Sequence, residues 1–153
     1  MITISDIGHL RELAGRDVGT SEWMVVSQDR IQAFADATGD HQWIHVNPDR
    51  AKTETPFGGT IAHGFLTLSL LSALMSNTLS IDGLRMAINY GLNRVRFVSP
   101  VPAGARVRAR IALGTVTDVE GGVQATWSIT IEREHQEKPC LAAEWLVRYY
   151  DNT

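Results

Sequence analysis

Ile61-Ala62-His63-Gly64-Phe65-Leu66-Thr67-Leu68-Ser69-Leu70-Leu71-Ser72-Ala73-Leu74-Met75-Ser76-Asn77-Thr78-Leu79 is apolar nearly all the way round a helix. A helix that is hydrophobic on every side is either buried or membrane-spanning. Spanning requires roughly 20 predominantly apolar residues, and this run is interrupted by Thr67, Ser69, Ser72 and Ser76. The sequence therefore predicts a long buried helix over 61–79, entered through the flexible bend Gly58-Gly59.

Beyond Gly83 the chain alternates with the period of two that marks half-buried strands. Val107, Ala109, Ile111 and Leu113 share one face, with Arg106, Arg108 and Arg110 on the other. Val123, Ala125, Trp127, Ile129 and Ile131 alternate with polar residues, as do Ala143, Trp145, Val147 and Tyr149. Glu120-Gly121-Gly122 is the expected hairpin turn. Pro100 to Gly104 reads as a loop. A sheet with one apolar face can wrap a buried helix, so the expected class is α+β.

Ahead of the helix, Ser5 to Ala14 reads as a short helix and Trp23 to Val26 as an extended run. Ser27 is a natural N-cap for a helix with Ile31, Phe34 and Ala35 on its apolar stripe, ending at Thr38-Gly39. Asp40 to His45 is then expected on a loop, and Asn47-Pro48 starts another short helix. With 153 residues and no repeat or low-complexity linker, one domain over 1–153 is expected. The net charge of -3 gives no reason to expect nucleic acid or a membrane surface as partner. A lone Cys140 excludes an intramolecular disulfide and suits a reducing compartment. The first residues carry neither a basic segment nor an apolar run, so a cytoplasmic protein is expected.

Asp40 and His45 are the residues that can do chemistry. On a loop their side chains can converge on one water, as a general acid/base pair must. An imidazole can give or take protons near neutrality. A capping aspartate and a surface histidine fit the same spacing and are the simpler account of it. Gly64 adds a second feature, because the first N–H groups of a helix lack intrahelical partners and favour negative charge. Without a Cβ there, a substrate carbonyl could approach the backbone. Tight helix–sheet packing accounts for this glycine equally well. Ser72, further along, either bonds its own helix or orients a loop group such as the Asp40 carboxylate. Asp40, His41, His45 and His63 are potential metal ligands, but His41 and His45 would share a face only on a helix, and Gly39 argues against one. No metal is expected. Cys140 reads as a small buried hydrophobe. The Arg106, Arg108, Arg110 row reads as a solvated face, and Arg94 and Arg96 could at most offer charge to a phosphate. Trp43 and Phe57 read as packing residues.

Phe34-Ala35-x-x-Thr38-Gly39-Asp40, His45, Pro48 and Ile61-Ala62-His63-Gly64 resemble the MaoC-like dehydratases, a hotdog-fold family that includes the (R)-specific enoyl-CoA hydratases. Asn89-Tyr90-Gly91-x-Asn93-x-Val95-Arg96-Phe97 resembles the branch related to nodulation protein N. The resemblance implies a hotdog fold with an antiparallel sheet wrapped round the central helix. It implies Asp40 and His45 as the catalytic pair, Gly64 as the oxyanion glycine and Ser72 as the serine that positions the aspartate. Where the family reads Asp-x-Asn-Pro-x-His, this chain has Gln42-Trp43, which removes a fixed φ from the loop.

The implied reaction is reversible syn hydration of a trans-2-enoyl-CoA to a (3R)-3-hydroxyacyl-CoA, a hydro-lyase reaction of the enoyl-CoA hydratase 2 type. It needs no cofactor beyond the CoA carried by the substrate, and an acyl-carrier-protein thioester is an open alternative. An open sheet edge and a half-built groove imply a homodimer. The rival readings are a hotdog thioesterase and a non-catalytic acyl-thioester-binding module.

Overall fold

The computed structural model describes residues 1–152. In chain order the elements are β1 (Ile2–Ile4), α1 (Ile7–Glu12), β2 (Arg16–Thr20), β3 (Met24–Val25) and α2 (Gln28–Thr38). Then come α3 (Trp43–Val46), α4 (Pro48–Glu54), α5 (Gly64–Ser69) and α6 (Leu71–Ser76). The chain closes with β4 (Leu79–Ile81), β5 (Leu84–Phe97), β6 (Arg106–Val119), β7 (Gly122–Arg133) and β8 (Leu141–Asp151).

The main sheet is antiparallel with strand order β2-β6-β7-β8-β5, and β3 also pairs with β6. The alternation in the sequence is the alternation in the structure. Val107 to Leu113, Val123 to Ile131 and Leu141 to Tyr149 bury every second residue. These side chains join Leu66, Leu70, Leu71, Leu74 and Met75 of the helical segment in one core, as expected of an α+β fold in which a sheet wraps a helix. Trp127 and Tyr149 lie deep in it, with the indole N–H donating to the phenol oxygen at 2.9 Å.

Three features differ from the sequence expectation. The central helix begins at Gly64, not Ile61, and runs as two pieces hinged at Leu70. Leu70 N–H still bonds Leu66 O and Leu74 N–H bonds Leu70 O, so the axis carries through the break. The helix is not buried on every side: Phe65, Ser69, Ser72 and Ser76 are not buried, and they follow helical spacing to form one open stripe. Finally, Leu79 leaves the helix for β4, which pairs in parallel with β1. Three-residue strands are too short to carry a readable period, so β1 and β4 leave no pattern in the sequence.

The expected caps are in place. The Ser27 hydroxyl accepts from Arg30 N–H, and Gly39 ends α2 with φ of 78° in the left-handed region. Asn47 caps α4 with Pro48 in its first turn. The arginine row on β6 is engaged rather than merely solvated. Arg108 donates to Glu132 at 2.8 Å and lies over Trp23, while Arg106 pairs with Glu134. No helix among the described residues is long and apolar enough to cross a membrane.

Candidate active site

The end of α2 and the start of α5 meet around two histidines. Gly39 turns the chain out of α2, and the exposed Asp40 comes next. The segment expected to be all loop contains the one-turn helix α3, which carries His45 inward until it is 7% exposed. Gln28 holds that turn, its amide donating to the His45 carbonyl at 2.8 Å while Thr60 donates to its Oε1. Ile61 N–H bonds Ile44 O, and Ala62 N–H bonds Val101 O, so the stretch before α5 is fixed on both sides.

Hydrogen bonding decides which nitrogen of His45 carries the proton. Its Nδ1 lies 2.7 Å from the carbonyl oxygen of Ile61. A carbonyl only accepts, so Nδ1 donates, and in the neutral ring Nε2 keeps its lone pair. Burial pushes the His45 imidazole below its ordinary value. The neighbouring His63 acts in the same direction, while the Ile61 carbonyl and Asp40 oppose it. The net effect favours the neutral ring, in which Nε2 is the acceptor.

His63 completes the cluster. Ligating atoms of Asp40, His45 and His63 all lie within 4.8 Å of one another. That spacing would suit a cation, but the ring geometry does not. The two imidazoles are stacked, with centroids 3.8 Å apart and planes at 24°. A metal lies in the plane of each ring that binds it, about 2.0–2.1 Å from the nitrogen. Planes this far apart and this nearly parallel meet well beyond that reach.

Gly64 is the first residue of α5, where a backbone N–H has no intrahelical partner. A Cβ on Gly64 would lie 3.0 Å from the Phe97 ring, so the missing side chain makes room for an aromatic from the end of β5. Ile61, Gly64, Thr67, Phe97 and Cys140 line a cleft of about 230 Å³ here. Cys140 is buried, as expected, and burial pushes its thiol above the ordinary range.

Ser72 stands apart from this group. Among the described residues it makes no hydrogen bond to Asp40, whose carboxylate accepts from Gln42 N–H at 3.3 Å. Ser72 lines a larger apolar cleft of about 320 Å³ with Met75, Leu79, Ala87, Asn89 and Trp145. Gln28 and Phe97 are the site residues that sequence reasoning missed, and His63, which it offered only as a potential metal ligand, stands at the centre of the cluster. Spacing carries no signal for any of them, although His63 and Phe97 stand inside the two quoted motifs.

Comparison with known proteins points the same way. The MaoC like domain model matches residues 10–133. The chain is 52% identical over 150 residues to 3-hydroxyacyl-thioester dehydratase Z of Mycobacterium tuberculosis, covering 97% of this chain and 99% of that protein. It is 52% identical over 135 residues to nodulation protein N of Rhizobium leguminosarum bv. viciae, covering 86% of this chain and 83% of that one. Among solved structures it superposes on the (R)-hydratase from A. caviae involved in PHA biosynthesis with a TM-score of 0.69 at 24% identity. That match covers 86% of this chain and 95% of the other. R-hydratase PhaJ1 from Pseudomonas aeruginosa gives 0.70 at 22% identity, covering 91% and 83%. These likenesses identify the fold as the hotdog. With its core, its Asp40/His45 pair and its Ile61-Ala62-His63-Gly64 helix start in the places described, the chain belongs to the MaoC-like dehydratase family.

Proposed function

We propose that this protein is a hydro-lyase that adds water reversibly and with syn geometry to trans-2-enoyl-CoA thioesters, giving (3R)-3-hydroxyacyl-CoA. The observation that carries the reading is the His45 Nδ1 bond to the Ile61 carbonyl, which leaves Nε2 with a bare lone pair in a cluster whose ligating atoms, Asp40 included, lie within 4.8 Å of one another. The likeness to a 3-hydroxyacyl-thioester dehydratase over nearly the whole chain supports the substrate class.

In this scheme water sits between Asp40 and His45. Its oxygen bonds to C3 of the enoyl group as His45 Nε2 takes one proton. The C2=C3 pair moves toward the thioester oxygen, where the N–H of Gly64 stabilises the developing enolate. The proton is returned to C2 from the same face, so the atoms of one water are all accounted for. Asp40 orients the water through the hydrogen that is not transferred. The scheme draws on no cofactor, and CoA takes part only as the carrier of the acyl group. Phe97 closes over Gly64, and the apolar cleft beyond Ser72 suits an acyl chain. Ser72 is placed at that wall.

The test is incubation with crotonyl-CoA, following enoyl absorbance, free thiol and the chirality of the product. Loss of enoyl absorbance with a (3R) product is expected. Thiol release without hydration would make the protein a thioesterase. Asp40→Asn and His45→Gln should each lower kcat by about 10²- to 10⁴-fold with the circular dichroism spectrum retained; unchanged rates sink the assignment. Because His45 is held below its ordinary value of about 6.5, the acid limb of kcat/KM should fall below that pH.

The working unit we propose is a homodimer joined along β5. This strand pairs with β8 on one side alone and is exposed over most of its length, with Ile88, Tyr90 and Leu92 half-open to solvent. Such an edge invites another strand. Sedimentation at micromolar concentration should give twice the chain mass, and a monomer at that concentration would exclude it.

A further inference from the structure

His63 is 2% exposed and is the N-cap residue of α5, yet its side chain makes no capping hydrogen bond. Serine, threonine, aspartate or asparagine would cap a helix better there. A leucine or phenylalanine would fill the space without burying nitrogen. The imidazole therefore serves something other than the helix it precedes.

Its contacts show what. His63 Nε2 lies 2.9 Å from the main-chain oxygen of Asp40. That oxygen can only accept, so Nε2 carries the hydrogen. In the neutral ring Nδ1 then holds a bare lone pair, and this atom is buried without a partner. One face of the ring stacks on His45, and Phe34 lies 4.9 Å away at a tilt of 54°. The next residue along the chain is Gly64.

We propose that His63 is a positioning residue for the reaction, its Nε2–H fastening the Asp40 main chain to the start of α5 and its flat face fixing the plane of the His45 ring. One side chain then sets both members of the proton-transfer pair against the glycine that receives the substrate oxygen. The inference rests on the function proposed above and deepens it. It also accounts for the orphaned Nδ1. Because Nε2 is committed to the Asp40 main-chain oxygen, Nδ1 is the nitrogen left without a partner. The titratable groups facing His45 are His63 and Asp40. From α2 the uncharged Gln28 amide bonds the His45 main-chain carbonyl, and from the stretch before α5 the Ile61 carbonyl accepts from the ring.

Two variants separate the two contacts. His63→Phe keeps a flat ring and removes the donor to Asp40. His63→Gln keeps an amide donor and removes the ring. Each is expected to lower kcat on crotonyl-CoA by about 10- to 100-fold, as small displacements of reacting groups do, with KM little changed. The imidazole NMR titration of His45 gives a readout independent of turnover. Its midpoint should rise in both variants, because the neighbouring imidazole that helps hold it down is gone, and the acid limb of kcat/KM should rise with it. A residue that only supported the fold would lower Tm and move neither. An unmoved His45 midpoint in both variants overturns the proposal, whatever the activity. If His63→Phe does not fold, His63→Gln decides alone. Failure of the wild-type protein to hydrate crotonyl-CoA would instead sink the proposed function, and the titration would still decide whether His63 governs His45.

Discussion

Gln42 and Trp43 stand where the family resemblance leads one to expect Asn-Pro, and the backbone has kept the shape that proline would impose. Gln42 has φ of -56° and ψ of 134°, close to the polyproline II backbone and away from the helical region that a following proline disfavours. Trp43 opens α3, a first-turn position where proline is well tolerated. What the ring of proline would have fixed is held here by contacts: Arg50 lies over the Trp43 ring at 4.0 Å and pairs with Glu54 at 2.9 Å. Trp43→Pro should therefore fold and keep hydratase activity, with stability changed by no more than about 1 kcal/mol. Urea unfolding and the crotonyl-CoA assay check this, and a collapse of activity would show that the tryptophan itself is required. At this scale the sequence is only partly legible. Residue type and spacing mark Asp40 and His45 only as candidates, because a capping aspartate and a surface histidine are the simpler account of the same spacing; it is the burial of His45 that departs from that account. The tautomer of His45 cannot be read from them, because it depends on the Ile61 carbonyl, which reaches the site only after Thr60 to Ala62 dock beside Val101 to Ala103.

Elements are legible where one local rule governs them. Ser27 and Gly39 bracket α2 because a side-chain cap and a left-handed glycine are local devices. β6, β7 and β8 are readable because each is long enough for its alternation to repeat. The central helix is misplaced at both ends by its apolar content, which does not distinguish Ile61 and Leu79, committed to short bridges and strands, from helical neighbours. β2 escapes notice because Arg16 to Thr20 has no apolar alternation and owes its strand state to pairing with β6. Of the glycines, the one at the hairpin between β6 and β7 has the least room for a side chain. A Cβ on Gly122 would lie 2.1 Å from the Tyr149 carbonyl oxygen, which belongs to backbone that cannot move without breaking the β7–β8 ladder. Gly122→Ala should destabilise the protein by about 1–3 kcal/mol, in the range for overpacked sites. Gly59→Ala, with open space around the glycine, is the control. Thermal unfolding of the pair should show a lower Tm for Gly122→Ala alone.

For the whole molecule, the Trp127–Tyr149 pair ties stability to alkaline pH. Burial pushes the Tyr149 phenol up to about 12, a shift the Trp127 N–H partly opposes. The unfolded value is about 10, so the folded value is the higher one. The stabilising contribution is then complete below about pH 10 and is lost as pH rises toward 12, because the unfolded chain releases the proton first. Unfolding free energies between about pH 9 and 12 should fall across that window, and Tyr149→Phe should flatten the decline. One further link spans the fold. Phe97 ends β5, the strand left open at the sheet edge, and its ring occupies the space above Gly64. The margin where another subunit would attach and the backbone amide that would receive the substrate oxygen are thus joined by one aromatic side chain. In the proposed dimer, slippage along that margin would be carried by Phe97 to Gly64, and association and turnover would share a single mechanical part.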